Sequence, residues 1–144
     1  MSVALLDANV LIALLDPDHQ HHDVAHTWLG DNMAIGFAIC PLVENACLRI
    51  MCLQSYPKRQ PFDVVRARIR SLRAHDVCHF WADSVTLIEL TYLTEATMLA
   101  PAAVTDTYLL ALAVKHNGRL VTFDQRIAWQ TVVGATSHSL WVLL

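Results

Sequence analysis

Glycine is scarce in this chain, with 4 among 144 residues, and no Gly/Ser-rich stretch or long polar tract interrupts it. Nothing therefore reads as an interdomain linker, and a single domain over residues 1–144 is expected. Long apolar runs are also missing. None approaches the roughly 18 to 20 residues of a membrane span, and the N-terminus lacks the basic start of a secretory signal, so the chain is expected to be cytoplasmic and not membrane-bound. Four cysteines, Cys40, Cys47, Cys52 and Cys78, form neither a CxxC pair nor a zinc-ligand spacing, which leaves buried, reduced thiols as the expectation. Charge is sparse too: 16% of residues are charged against 55% hydrophobic, a balance that leaves apolar surface for a partner to cover.

What the chain does have is four acidic residues, out of only 13, placed where apolar stretches meet turns or helix starts. Asp7 ends VALLD, Glu44 follows ICPLV, Asp106 opens TDTYLLALAVKH, and Asp124 ends RLVTFD. In an open α/β sheet such residues gather beyond the carboxyl ends of the strands, where ligands bind. Carboxylates are the ligands that hard cations such as Mg²⁺ and Mn²⁺ prefer, and such ions clamp the oxygens of a phosphodiester displacement. The competing reading is that each acid is only a helix cap or dipole partner.

The formal charge of -3 hides an uneven distribution, because Arg49, Lys58, Arg59, Arg66, Arg68, Arg70 and Arg73 supply seven of the ten basic residues. A basic stretch beside an acidic centre suits a phosphate-backbone substrate. Arg66, Arg70 and Arg73 share a helical face, either to contact RNA or simply as a solvated surface. Arg49, on the same expected helix as Glu44, would reach a phosphate, balance the acids, or form a surface salt bridge.

Apolar periodicity predicts a strand at 3–6, a helix over NVLIALLD halted by Pro17, and a helix over 20–30 ending near Gly30. A strand at 35–39 follows, then a helix from Pro41 to about Leu53, a loop from Ser55 to Pro61 and a helix from Phe62 to His75. Further on come a strand at Cys78–Ala82, and a helix capped by Asp83 or Ser84 containing Val85, Leu87, Ile88 and Leu90. The prediction continues with a loop from Thr94 to Val104, a helix capped by Thr105 and closed by Asn117-Gly118, and strands at Leu120–Phe123 and Leu140–Leu143. Alternating strands and helices imply an α/β fold with a mainly parallel sheet.

His19, His21, His22 and His26 cluster early, and His22 with His26 has the i,i+4 spacing of a zinc pair. Without HExxH or a clear third ligand, a surface or capping role is the expectation. Trp28, Trp81, Trp129 and Trp141 lie among apolar neighbours and read as packing residues rather than base-stacking ones.

LLDANVLIALLD, CPLVENACLRI, TDTYLLALAVKHNGRLVTFD and the closing apolar strand together resemble a PIN-domain ribonuclease, in particular the VapC-type toxins, over nearly the whole chain. The resemblance implies a PIN-like three-layer sandwich with a mainly parallel central sheet flanked by helices. It also implies a metal-dependent endoribonuclease, using Mg²⁺ or Mn²⁺, held inactive by a VapB-type antitoxin in a homodimer or a higher hetero-oligomer. On the family pattern Asp7, Glu44, Asp106 and Asp124 are the metal-site quartet. Asn9 is a supporting residue that orients Asp7 or bonds the helix start, and Thr122 is either a hydroxyl to water or a carboxylate or an ordinary strand residue. Two other classes remain open, a catalytically inactive protein-binding PIN-like module and a phosphoesterase acting on a small substrate.

Overall fold

The structure, a computed structural model, describes residues 2–94 and 98–144. Strands β1 (Ala4–Leu6) and β2 (Phe37–Ile39) are buried along their whole length, as parallel strands are when both faces are covered. With β3 (Cys78–Phe80), β4 (Arg119–Thr122) and β5 (Leu140–Val142) they form a sheet of order β3-β2-β1-β4-β5. Every pairing between these strands is parallel. Central β1 sets Leu5 opposite Ala38 on one side and Leu120 on the other. The chain leaves β1 toward β2 and later returns to β1's far side as β4, so the crevice between β1 and β4 lies at the switch point of the sheet.

Helices α1 (Ala8–Leu15), α2 (His22–Asn32), α3 (Pro41–Met51), α4 (Phe62–Arg73) and α5 (Val104–Lys115) flank the sheet. The expected α/β architecture is present. Helix α1 buries Val10, Leu11, Ile12, Ala13 and Leu14 in succession, because α2, α3 and α4 as well as the sheet pack around it. Helix α4 buries Val65 and Ile69 on its inner side. Arg66 and Arg70 are exposed as the spacing predicts, but Arg68 and Arg73 turn toward the neighbouring helices α1 and α3, a correction to placing all the basic residues on the outer side. No helix among the described residues is long and apolar enough to cross a membrane.

Two glycines are required by what lies beside them. Gly36 has a φ of +92°, and a Cβ there would stand 2.7 Å from the Val77 carbonyl oxygen, which would obstruct the close passage of the chain into β2. A Cβ on Gly118 would stand 2.5 Å from the Val3 carbonyl oxygen and 2.7 Å from the Trp81 ring. Just before it, Asn117 takes the left-handed conformation at φ 55° that closes α5 as expected.

Four further sequence expectations are corrected. Helix α2 continues through Gly30 and stops at Asn32, whose carbonyl accepts the N–H groups of Ile35 and Gly36 and whose side chain donates to the Trp28 carbonyl at 2.8 Å. The predicted helix around Val85–Leu90 is irregular chain and turns. Val85 is buried, but Ile88 and Leu90 are 88% and 76% exposed, so no apolar face meets the core, and the Thr86 hydroxyl accepts the Ile88 N–H in a local turn at 3.2 Å that competes with a helix. Asp83 instead accepts the Leu42 N–H at 3.1 Å, satisfying an orphan donor in the first turn of α3 from 41 residues away. Thr105 lies inside α5, which follows directly from a Pro-led 3₁₀ turn at Pro101–Ala103. Of the predicted 94–104 loop, residues 95–97 lie outside the described residues, and that 3₁₀ turn occupies its end.

Candidate active site

Asp7 follows β1 and is the N-cap of α1. Its Oδ1 accepts the Ala8 N–H at 2.7 Å, and its main-chain carbonyl accepts the N–H groups of Val10 and Leu11, so the capping role weighed from sequence is filled. Its other carboxylate oxygen, Oδ2, accepts the Thr122 hydroxyl at 2.7 Å. Burial pushes the Asp7 carboxyl above its ordinary range, opposed by the Thr122 and Ala8 bonds and reinforced by the Asp124 charge.

Thr122 is fully buried and joins three neighbours. It donates to Asp7, and accepts Asn9 Nδ2 at 3.3 Å and the Asp124 N–H at 3.0 Å. Asn9 also accepts the Phe123 N–H at 3.3 Å. It therefore grips the β4 terminus from α1 and is linked to Asp7 by hydrogen bonds through Thr122.

Asp124 sits just past β4 and accepts from Arg126 three times: from the main-chain N–H at 2.8 Å, from Nε at 3.2 Å, and from Nη2 at 3.4 Å. The Arg126 bonds hold its carboxyl below the usual range. Asp106, in the first turn of α5, is pushed up to about 6, first by burial and then by the Asp7 and Asp124 charges, with Arg126 opposing. Three aspartates from β1, α5 and β4 thus act on one another electrostatically at the carboxyl ends of the central strands.

Glu44 keeps different company. It lies in the first turn of α3, with Oε2 3.3 Å from Arg73 Nη1. That oxygen is buried and receives no aligned hydrogen bond, so the contact is an ion pair without an N–H directed along it. Burial raises the Glu44 carboxyl, Arg73 lowers it, and Asp83 raises it further. The aspartate trio is not among these influences. Among the described residues, no three His, Cys, Asp or Glu side chains are grouped closely enough to hold a metal ion as they stand. The donors are nonetheless all carboxylates, and the mutual repulsion that lifts Asp106 is what a hard cation relieves.

The basic segment divides by task. Arg66, Arg70 and Arg73 line a groove of about 480 Å³ together with Phe62, Leu48 and Glu44. Arg73 is committed to Glu44 and to the Phe80 ring, 4.3 Å below its guanidinium. Arg68 donates to the Leu15 carbonyl at 3.1 Å, tying down the end of α1, and Lys58 pairs with Asp18 at 3.0 Å. Arg49 is exposed in the last turn of α3, roughly 140° around the helix from Glu44 by its five-residue spacing. That position turns it away from the acids.

The histidines serve α1. His22 Nδ1 lies 2.7 Å from the Ala13 carbonyl and His26 Nε2 3.2 Å from that of Leu14, so two imidazoles cap the helix's last carbonyls, while His21 stacks on Phe123. Trp28 and Trp141 meet edge to face at 5.6 Å, and Trp81 stacks on His116 at 4.2 Å. Burial pushes the Cys40 and Cys47 thiols up to about 12 and that of Cys78 up to about 11, which keeps them protonated. Cys52 and Cys78 are only half-buried. Sequence reasoning missed Arg126 and Asp83. Asp83 carries the signal that found the quartet, an acid just past an apolar strand, whereas Arg126 carries none beyond its closeness to Asp124.

This fold and site define a class. The model of the PIN domain matches residues 4–130, and the chain belongs to the PIN-domain family. Among individual relatives, it is 41% identical to the ribonuclease VapC44 of Mycobacterium tuberculosis, over 97% of this chain and 99% of that one. It is 36% identical to the ribonuclease VapC29 of the same organism, over 86% and 87%. In fold it is similar to VapBC2 from Rickettsia felis, solved bound to a DNA fragment from their promoter, with a TM-score of 0.58 at 14% identity over 85% of this chain and 88% of that one.

Proposed function

We propose that the chain, one PIN domain over residues 1–144, is a Mg²⁺- or Mn²⁺-dependent endoribonuclease and the toxin of a VapBC-type pair, acting on RNA and restrained by a VapB-type antitoxin. The observation that carries this reading is the meeting of Asp7, Asp106 and Asp124 at the switch point of a PIN-family sheet. Asp7, Asp106 and Asp124, with Glu44 drawn in from α3, would hold a divalent cation, which when bound would supply Lewis-acid polarisation of a phosphodiester and a more acidic water.

The chain's own residues do the positioning. Thr122 fixes the Asp7 carboxylate and, through Asn9, the β4 terminus that carries Asp124. Arg66 and Arg70 hold phosphates of the RNA backbone along the groove, while Arg73 pairs with Glu44 and opposes the upward push of its burial. The groove passes Glu44, the acid on α3.

The test is cleavage of total cellular RNA by purified, antitoxin-free protein with Mg²⁺, Mn²⁺ or excess chelator, alongside Asp7→Asn. Discrete fragments from the wild type alone, lost with chelator, are expected. Absence of cleavage by folded, metal-supplied wild type would overturn the reading in favour of a protein-binding module.

A further inference from the structure

Beside the aspartates is a second feature that the cleavage chemistry does not use. A cavity of about 210 Å³ opens between the start of α5 and the chain just past β4. Asp106 and Asp124 form part of its wall, so it is continuous with the acid site. The rest of the lining is small and apolar, including Ala103, Ile127 and Ala128, with Thr107. Thr107 is 4% exposed and marks the deep end. Its hydroxyl donates to the Ala103 carbonyl at 2.8 Å, which leaves the oxygen's lone pairs to accept an N–H. At the rim stands Arg126, whose side chain is 90% exposed.

Cavities that enclose drug-sized molecules run from roughly 300 to 1,000 Å³. This one is smaller and fits a single planar ring system. A guanidinium has five N–H donors, and Arg126 directs only Nε and Nη2 at Asp124. The remaining donors are left for a group of opposite charge at the exposed rim. An apolar slot for one ring, an acceptor at its base and an arginine with donors to spare at its mouth match a nucleotide pulled out of a single strand, the form in which proteins read RNA bases.

We propose that this cavity is a base-binding subsite for the nucleotide flanking the cleaved bond, with Arg126 on that nucleotide's phosphate. The subsite rests on the ribonuclease reading for its place beside the scissile phosphate. It is sequence-tolerant or selective according to how the base's N–H groups meet Thr107, and it adds binding energy at one position of the RNA only.

The experiment uses oligonucleotides spanning a mapped cleavage site, with an abasic nucleotide at each position in turn, cut by wild type and by Ala128→Phe, which fills the cavity from an exposed position. An abasic nucleotide at one flanking position should lower wild-type kcat/KM by about tenfold. Ala128→Phe should suffer a similar loss on the intact RNA and no further loss on that abasic one. Equal abasic effects in both proteins, or none at any flanking position, would overturn the subsite while leaving the ribonuclease reading in place. If the wild type cuts no RNA, anisotropy with an uncleavable 2′-O-methyl oligonucleotide decides separately. Base-dependent binding lost in Ala128→Phe supports the subsite, and base-independent binding overturns it.

Discussion

Asp7 and Glu44 are both carboxylates at a helix start after a buried strand, yet they are held in different ways. Asp7 is locked by two hydrogen bonds of 2.7 Å, one to its own helix and one to β4, within a network whose other members are Asn9, Thr122 and Asp124. Glu44 leans on one ion pair with a half-exposed arginine and on no aligned hydrogen bond. Buried, fully bonded networks rigidify, whereas an ion pair reaching into solvent leaves both partners room to move. The lesson is that the β1/β4 side is built in advance and the α3/α4 side is left room to adjust.

The strongest way to break this contrast is Asp7→Asn. It keeps the shape and the cap but removes a charge from the preformed side, and RNA cleavage should fall by about a thousandfold or more, with a near-unchanged melting curve confirming the fold. Thr122→Val removes only a hydroxyl. It strands buried polar partners at a cost of about 1–3 kcal/mol, and activity should drop about 10- to 100-fold, as read by denaturant unfolding and initial rates. On the adjustable side, Arg66→Ala with Arg70→Ala should raise KM several-fold and flatten the salt dependence of RNA binding while leaving stability unchanged. A titration of Kd against salt checks it. Arg73→Ala should cost less than about 1 kcal/mol, because the pair is partly solvated. A cost as large as that of Thr122→Val would erase the contrast.

The smallest effect concerns pH. Folded Asp106 titrates at about 6 against an ordinary 3.8, so the folded chain binds more protons than the unfolded one between those values. Stability of the metal-free protein through this group therefore falls as pH rises across that window. Asp124 is shifted the other way, and its contribution is lost only as pH falls below 3.8. Asp106→Asn should make the downward slope shallower, leaving the part that the raised Asp7 and Glu44 carboxyls contribute, and thermal melts with chelator above and below about 6 test it.

Much of this was readable from residue order alone. Apolar runs mark β1, β2 and β4 and helices α1 and α5 because these are buried as their sequences predict, while β3 and β5 at the sheet edges are only partly covered. The error at residues 83–90 has a physical source: Ile88 and Leu90 are as apolar as core residues but face solvent, and only tertiary contacts tell the two apart. Asp83 was read as a local cap, yet it caps α3, and a cap supplied from another part of the chain leaves no local trace. Arg73 was grouped with Arg66 and Arg70 by helical spacing, which says nothing of Glu44 on the facing helix. The four acids were legible because strand ends and helix starts are local features. Their division into a trio and an outlier was not, since it depends on how α3 and α4 meet.

The bond between Asp7 and Thr122 spans 115 residues of sequence, and this has a consequence for the chain during its own synthesis. Translation delivers β1 first and β4 late, so a nascent chain carries Asp7 long before the threonine that fixes it or the aspartate that faces it. A chain that stops anywhere upstream of β4 lacks both Thr122 and Asp124. Until 124 residues have been joined, the cell making this chain has no proposed active site to contend with.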